Sequence, residues 1–375
     1  MKKIILSILI ISSAFAFADN FKPSLHIMPS VRQQGFGGFY TTDVDNFYGI
    51  YANPAMLGKH KKHNLYPGLG MTLSGPLQDF PDLFKAVLDK NTDKLGKMLR
   101  DNKGIKFGNN IEPLLSVGHT TEWGFGWAVN TNLFLDATIA NLTRSNIYAG
   151  AESTVTAGFG FPIIHTDNHL LSVGATAKGF FQTGFSFTDG IISVAQKVQD
   201  LNLKNIPLYA TIGFGFDVGI YYSLCDSLDF ALVYHDPWSP AWVSKSDIGN
   251  IFKFNFDTMT TLDPKLSAGI CWRVHTAATR GAITSFRIMA DYKNIFAPFK
   301  KLGRNPWLEL NAGTELVLAN IVSIRLGLNE LYPACGIGFS FGHFKIDMSM
   351  YGKELGLEPG NSPCLNAALF IGVTY

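Results

Sequence analysis

The chain has 375 residues, 47% of them hydrophobic, 13% aromatic and only 16% charged, with 30 Phe and 37 Gly. Its formal charge is +2; without Lys2 and Lys3, which sit in an N-terminal leader, 29 basic residues face 29 acidic ones, and nucleic acid finds no electrostatic footprint. No run of about 18 apolar residues follows the leader, which excludes a helical membrane protein, and a single soluble core ordinarily divides beyond about 250–300 residues.

The leader comes first in chain order. Lys2 and Lys3 precede an apolar run from Ile4 to Ile11, then Ser12, Ser13 and Ala14, and Ala16-Phe17-Ala18 has the A-x-A form. This predicts a secretory signal peptide over 1–18, cleaved near Ala18. Residues 19–64 do not read as wall strands. They hold Gly35-Phe36-Gly37-Gly38, paired Asp43 and Asp45, and Tyr51-Ala52-Asn53-Pro54-Ala55-Met56-Leu57. So apolar a segment needs burial, and the expected place is the lumen of a barrel formed by 65–375, where it acts as a plug.

From residue 65 onward the pattern has period two. Strands are predicted near 65–75, 111–120, 123–135, 150–163, 170–182, 207–223, 228–236, 263–274, 284–293, 307–318, 321–328, 335–341, 344–351 and 365–375. Short links near 120–122, 164–169, 224–227, 274–283, 319–320 and 342–343 alternate with longer ones at 76–110, 136–149, 183–206, 237–262, 294–305, 329–334 and 352–363. The expected fold is therefore an all-β, transmembrane, antiparallel up-and-down β-barrel of about 14 strands with an N-terminal plug and helical extracellular loops. In the last strand Leu365, Ala367, Leu369, Ile371, Val373 and Tyr375 share one face. Its aromatic ending resembles the C-terminal strand by which outer-membrane proteins are recognised for insertion, which implies the barrel-assembly machinery as a partner.

Two long links carry helical periodicity. Phe80, Leu83, Phe84, Val87, Leu88, Leu95, Met98 and Leu99 recur at three- and four-residue spacing, and Ile191, Ile192, Ala195, Val198 and Leu201 do the same. Phe80, Phe84, Leu88, Ile192, Trp238 and Trp242 then become candidate ligand-binding residues in a greasy outer vestibule. The plainer alternative is that these loops pack on the barrel rim.

Parity turns Lys178, Arg273, Arg287, Arg325, Glu309, Glu315, Asp291 and Asp347 toward the lumen. Opposite charges there pair with one another or with the plug; the functional alternative is that one or two cations receive an acyl carboxylate. Cys225, Cys271, Cys335 and Cys364 are scattered, with no metal spacing, and disulfides and free thiols stay equally open. There is no G-x-S-x-G, no H-E-x-x-H and no phosphate loop, so no enzyme, cofactor or metal site is expected.

An early Gly-rich turn, paired Asp, then Tyr51-x-Asn53-Pro54-Ala55-x-Leu57 resembles the N-terminal hatch of FadL/TodX-type outer-membrane transporters of long-chain fatty acids and other hydrophobic compounds. The resemblance implies a 14-stranded barrel plugged by its N-terminus, with ligand captured at extracellular loops and released sideways through the wall. The C-terminal run from Leu308 looks more like spirochaete-type FadL-like paralogues, and like the PorV branch that serves protein secretion. The expected protein is a monomeric outer-membrane channel for passive uptake of hydrophobic small molecules. The rivals are a PorV-type barrel that docks partner proteins and an adhesin-like barrel presenting its loops.

Overall fold

The computed structural model describes residues 30–38, 41–43, 49–59, 64–65, 67–75, 82, 85–86, 89, 91–101, 105–121, 124–141, 144–189, 207–247, 255–276, 281–300 and 303–373. The signal peptide, Phe80, Phe84, Leu88, Ile192 and Tyr375 lie outside the described residues. The chain is all-β and builds one antiparallel sheet. Its strands are β1 (Asn64–Leu65), β2 (Gly68–Ser74), β3 (Ile105–Thr120), β4 (Phe125–Asn141), β5 (Arg144–His165), β6 (His169–Asp189), β7 (Pro207–Leu224), β8 (Leu228–His235) and β9 (Pro240–Asp247). They continue with β10 (Thr258–Thr261), β11 (Lys265–Val274), β12 (Ile283–Tyr292), β13 (Leu310–Leu318), β14 (Val322–Asn329), β15 (Tyr332–Phe341), β16 (Phe344–Glu354) and β17 (Pro363–Val373).

From β2 to β8 each strand pairs with the next, and so does each from β11 to β17. β17 also pairs with β2, from Asn366 opposite Ser74 to Gly372 opposite Gly68. β8 pairs with β11, from His235 opposite Lys265 to Leu228 opposite Trp272. β9 lies between the first half of β7 and the short β10.

Alternation decides which side chains face where. Along β7, Ile212, Phe214, Phe216, Val218 and Ile220 are exposed while Thr211, Asp217 and Tyr221 are buried. β17 repeats this, with Leu365 and Ile371 outside and Asn366 inside. A water-soluble sheet does the reverse, burying its apolar face and wetting its polar one.

Several links differ from the expected ones. Residues 136–149 form no loop: β4 and β5 stay paired to Asn141 opposite Arg144, so only 142–143 connect them. Asp136, Asn141 and Thr143 gave that stretch a loop-like composition, but polar residues are tolerated in strands that run on past the apolar band. The link 237–262 contains β9 and β10. Residues Pro306–Glu309 form a 3₁₀ turn, capped by the Asn305 side chain accepting from the Trp307 N–H at 3.0 Å, so the strand starts only at Leu310. Glu309 consequently bonds Arg304 (3.3 Å) from that turn rather than from a strand. In the 76–110 link the helix Thr92–Asp101 buries Leu95 and Leu99 and exposes Lys94 and Lys97, as its periodicity predicts.

Tight links fit the turn chemistry. Ala319-Asn320 and Glu330-Leu331 have two consecutive positive φ angles, the geometry of a two-residue hairpin turn that matches strand twist.

Candidate functional site: the enclosed N-terminal segment and a break in the wall

Every residue from Ser30 to Gly38, Thr41 to Asp43 and Gly49 to Leu57 is buried. Their local structure is short and capped. In the helix Val31–Gly35 the Ser30 hydroxyl accepts from the Gln33 N–H at 3.2 Å, and Gln33 reaches back to the Ser30 N–H at 3.1 Å.

Asn53 and Pro54 start the 3₁₀ turn Pro54–Gly58. The Asn53 side chain accepts from the Ala55 N–H at 3.0 Å, and Pro54 sits at the first position, where no N–H is needed. The same Asn53 amide donates to the carbonyls of Thr41 and of Ile220 on β7, both at 3.2 Å. One side chain thus ends a turn, ties the segment to itself and ties it to the wall. Ala55 and Met56 pack on Tyr221 and Ala231, and Ile50, Tyr51 and Leu57 pack on Ala128.

Glycines make room for this approach. A Cβ on Gly174 would lie 2.4 Å from the Pro54 carbonyl, and one on Gly160 2.6 Å from the same oxygen. Wall backbone and segment backbone are therefore in direct contact, which only glycine permits.

The 31–43 half is held by charge. Arg32 makes a fork to Glu315 of β13 (2.8 and 2.7 Å) and reaches Asp43 at 2.9 Å. Arg325 of β14, 1% exposed, bonds both Glu315 (2.8 Å) and Asp347 of β16 (2.6 Å), and Arg287 of β12 completes the cluster against Glu315. Thr41 donates its N–H and hydroxyl to Asp291 at 2.6 Å each. Guanidinium forks on carboxylates are the strong form of such contacts.

A second buried set surrounds Lys178, whose ammonium is 2.8 Å from both Asp217 and Asp236. It marks a break in the wall. The β7–β8 ladder ends at Asp217 opposite His235 and resumes on β9 at Gly213 opposite Ala241, so three residues of β7 face five. Asp236 takes φ +54 and donates its N–H to Asp217 (2.9 Å), while the Ser239 hydroxyl donates to Asp236 (2.7 Å). A Cβ on Gly215 would sit 2.0 Å from that hydroxyl. Inside the break, Phe180, Ala241 and Leu262 form an apolar cluster that, among the described residues, has no member from the N-terminal segment. Outside it, Trp238 meets Phe214 edge-on at 5.5 Å and Trp242 stacks on Phe214 at 5.9 Å.

Several expected positions move as a result. Trp242 belongs to β9 rather than to a loop, whereas Trp238, 54% exposed, stays in the bend between β8 and β9, against Phe214. Arg273 is engaged by Asp229 and by the Tyr221 hydroxyl (2.7 Å), which also accepts from Lys59 (2.8 Å). Tyr51, Asn53, Pro54 and Ala55 come together with β5–β7, whereas Lys178 lies in the separate set at the break. Arg32, Asp217, Asp236 and Phe180 were not singled out in the sequence, and Asp43 only as one of the paired Asp of the resemblance. Phe180 shares parity with Lys178 and could have been; the partners of Arg32, 283 residues apart in the case of Glu315, leave no local signal.

An all-β chain with its apolar face outward and a buried, charge-pinned N-terminal segment is the class these observations define. Among solved structures it is similar to FadL-type hydrocarbon channels. They include the toluene transporter TbuX of Ralstonia pickettii (14% identity, TM-score 0.49, 91% of this chain and 96% of that one) and the toluene transporter TodX of Pseudomonas putida (12%, 0.46, 91% and 96%). A FadL homologue of Pseudomonas aeruginosa is similar over 97% of this chain and 99% of that one, at 11% identity and TM-score 0.46. No protein-family model and no curated relative matches the sequence.

Proposed function

We propose that the chain is an outer-membrane barrel through which hydrophobic small molecules, long-chain fatty acids among them, diffuse without an energy source. Seven strands from β2 to β8 and seven from β11 to β17, joined at β8–β11 and β17–β2, support a closed wall of fourteen positions. In this reading β9 and β10 continue β8 and β11 across the break. Residues 19–64 are its hatch, the outward apolar stripes meet lipid, and the short links face the periplasm. No described helix is long and apolar enough to cross a membrane. The leader is removed near Ala18, and the barrel works as a monomer inserted by the assembly machinery.

The observation that carries the cargo reading is the wall break. There the inner cluster of Phe180, Ala241 and Leu262 lies across β7 from the outer aromatics Phe214, Trp238 and Trp242, and Gly213 and Gly215 leave the inward positions of β7 without side chains. An apolar molecule finds partners on both faces of a thinned wall. Vestibule contacts from Phe80, Phe84, Leu88 and Ile192 are part of the same proposal.

Binding of straight-chain fatty acids and alcohols to purified protein tests it. Burial of about 0.8 kcal/mol per methylene lowers Kd about fourfold with each added carbon until the site is filled. Phe180→Ala and Trp238→Ala are expected to flatten that dependence with the barrel still folded. Affinity indifferent to chain length contradicts the reading.

A further inference from the structure

We infer that the short-link end of the barrel carries a collar of histidines that binds the phosphate headgroups of anionic phospholipids, more tightly in acid. This rests on the strands spanning a membrane, but neither on the cargo nor on the buried segment. Six histidines fall among the described residues, and five of them border or occupy short links. His119 is next to last in β3, His165 ends β5, His169 opens β6, His275 follows β11 and His343 stands in the β15–β16 turn. The sixth, His235, is at the other end, 3.6 Å from Asp217.

Their neighbours put them at headgroup depth. Exposed Ile163 and Ile164 lead into His165, exposed Trp272 stands three residues before His275, and exposed Phe341 and Phe344 bracket His343. In a wall whose outer face is apolar, such residues mark where hydrocarbon gives way to headgroups. His169 shows the arrangement in detail. Its ring stacks on Tyr222 at 6.1 Å, and Tyr222 stacks on exposed Phe230 at 6.4 Å. The row runs from apolar wall to polar tip, as amphipathic rings do where lipid meets water. His169 Nδ1 is 2.7 Å from the Tyr222 hydroxyl, so Nε2 is the nitrogen left for a headgroup oxygen.

The two rims also carry charge differently. At the long-link end permanent ions are paired: Lys94 with Asp82, Lys300 with Asp263, Arg304 with Glu309 and Glu330. At the short-link end, among the described residues, Lys59, Arg273 and Lys345 stand against Asp167, Asp226 and Asp229. Arg273 takes Asp229, Lys59 is on the Tyr221 hydroxyl, and Lys345 is 4.0 Å from Asp347 of the wall cluster. Asp167 shares its turn with His165 and His169; Asp226 precedes Ser227, whose hydroxyl is 3.5 Å from His275 Nε2. His119 is opposite Trp127 and Leu65, neither of them ionisable. Cations and carboxylates being equal in number, the imidazoles decide the sign of this rim. Imidazole is the side chain that gains its proton between about pH 8 and about pH 5, and a phosphodiester stays anionic throughout. A phosphate headgroup gives neutral imidazole an acceptor and imidazolium a counter-charge. The apolar residues beside each histidine favour a phosphate tethered to acyl chains.

Lipid titration of the full-length protein folded in nonionic micelles tests the collar, with bound lipid counted by native mass spectrometry. From about pH 8 to about pH 5.5, affinity for phosphatidylglycerol is expected to rise about fivefold for each imidazole that gains a proton. Zwitterionic phosphatidylcholine is expected to change less than twofold. His165→Gln, His169→Gln, His275→Gln and His343→Gln combined should abolish the rise and leave heat-modifiable folding intact. Wild type without an acid-dependent gain overturns the proposal, and so does a folded variant that keeps it. Displacement of phosphatidylglycerol by millimolar inorganic phosphate means a bare anion site in place of a lipid surface and overturns it too. Wild type that lacks heat-modifiable migration would remove barrel and collar together, whereas folded protein without the gain removes the collar alone.

Discussion

Residues 31–43 and 49–58 belong to one segment but are held by opposite means. The first half is pinned by side-chain charge: Arg32, Asp43 and Thr41 against β12, β13 and their neighbours. The second half is seated by backbone: Pro54 against Gly160 and Gly174, and Asn53 against the Ile220 carbonyl. Charge pairs are directional and can be broken and remade at fixed geometry. A glycine seat depends on shape and admits no half-open state short of lifting off. The Asn-Pro-Ala turn is thus seated by shape, and the arginine-bound half by charge.

Substitutions on the two sides should therefore differ in kind. The largest effect is expected from Arg325→Met, which leaves Glu315 and Asp347 short of a cation in a site 1% exposed. Breaking a buried network by one partner costs about 3–5 kcal/mol, read as a lower temperature of conversion from the folded to the heat-unfolded band. Acid should come next and act around the β14–β15 turn rather than at the backbone seat of 49–58. Glu330, in the β14–β15 turn, would be raised by burial, but Lys293 at 2.9 Å and Arg304 at 2.6 Å bring its carboxyl down to about 2. A carboxyl depressed by folding stabilises fully above its unfolded value, about 4.5, and loses that contribution as pH falls toward 2. Hydrogen exchange in 294–300 and 303–309 should accelerate across that window while Gly49–Gly58 stays protected.

Gly174→Val adds atoms where the Pro54 backbone already lies 2.4 Å from the Cβ position, and overpacking of this kind costs about 1–3 kcal/mol. It should release the anchored half and leave the Arg32 cluster paired. The smallest effect is expected for Asn53→Ala, which removes a cap worth about 0.5–2 kcal/mol. Equal responses of both halves to these changes would erase the distinction between the charge-held and the shape-held half.

The wall was legible because a period of two leaves little choice. Lys178, Arg287 and Arg325 are buried, as their parity requires, whereas the alternation of short and long links fails at 142–143 and at Glu330-Leu331. The details of the break were not legible. Its register is set by how β7 meets two separate strands, and the polar run Ser244-Lys245-Ser246-Asp247 disguised β9 as loop. Trp242 was consequently expected beyond the strands and instead lies in β9, while Trp238 keeps its place in the link before it. The Asn-Pro-Ala motif could be read as a turn from sequence, since Asn and Pro act locally. Arg32 could not, because its value comes from Glu315, far along the chain.

The account turns on residues 30–58 lying inside the wall, and Met56, 1% exposed between Ala55 and Tyr221, is the position that reports it. Met56→Cys, with Cys225 and Cys335 replaced by Ser, can be challenged with a bulky maleimide in intact outer membranes and again after unfolding. Labelling at least a hundredfold slower in the folded protein is the expected result. Rapid labelling of the folded protein would mean that the segment is outside and would contradict the plug.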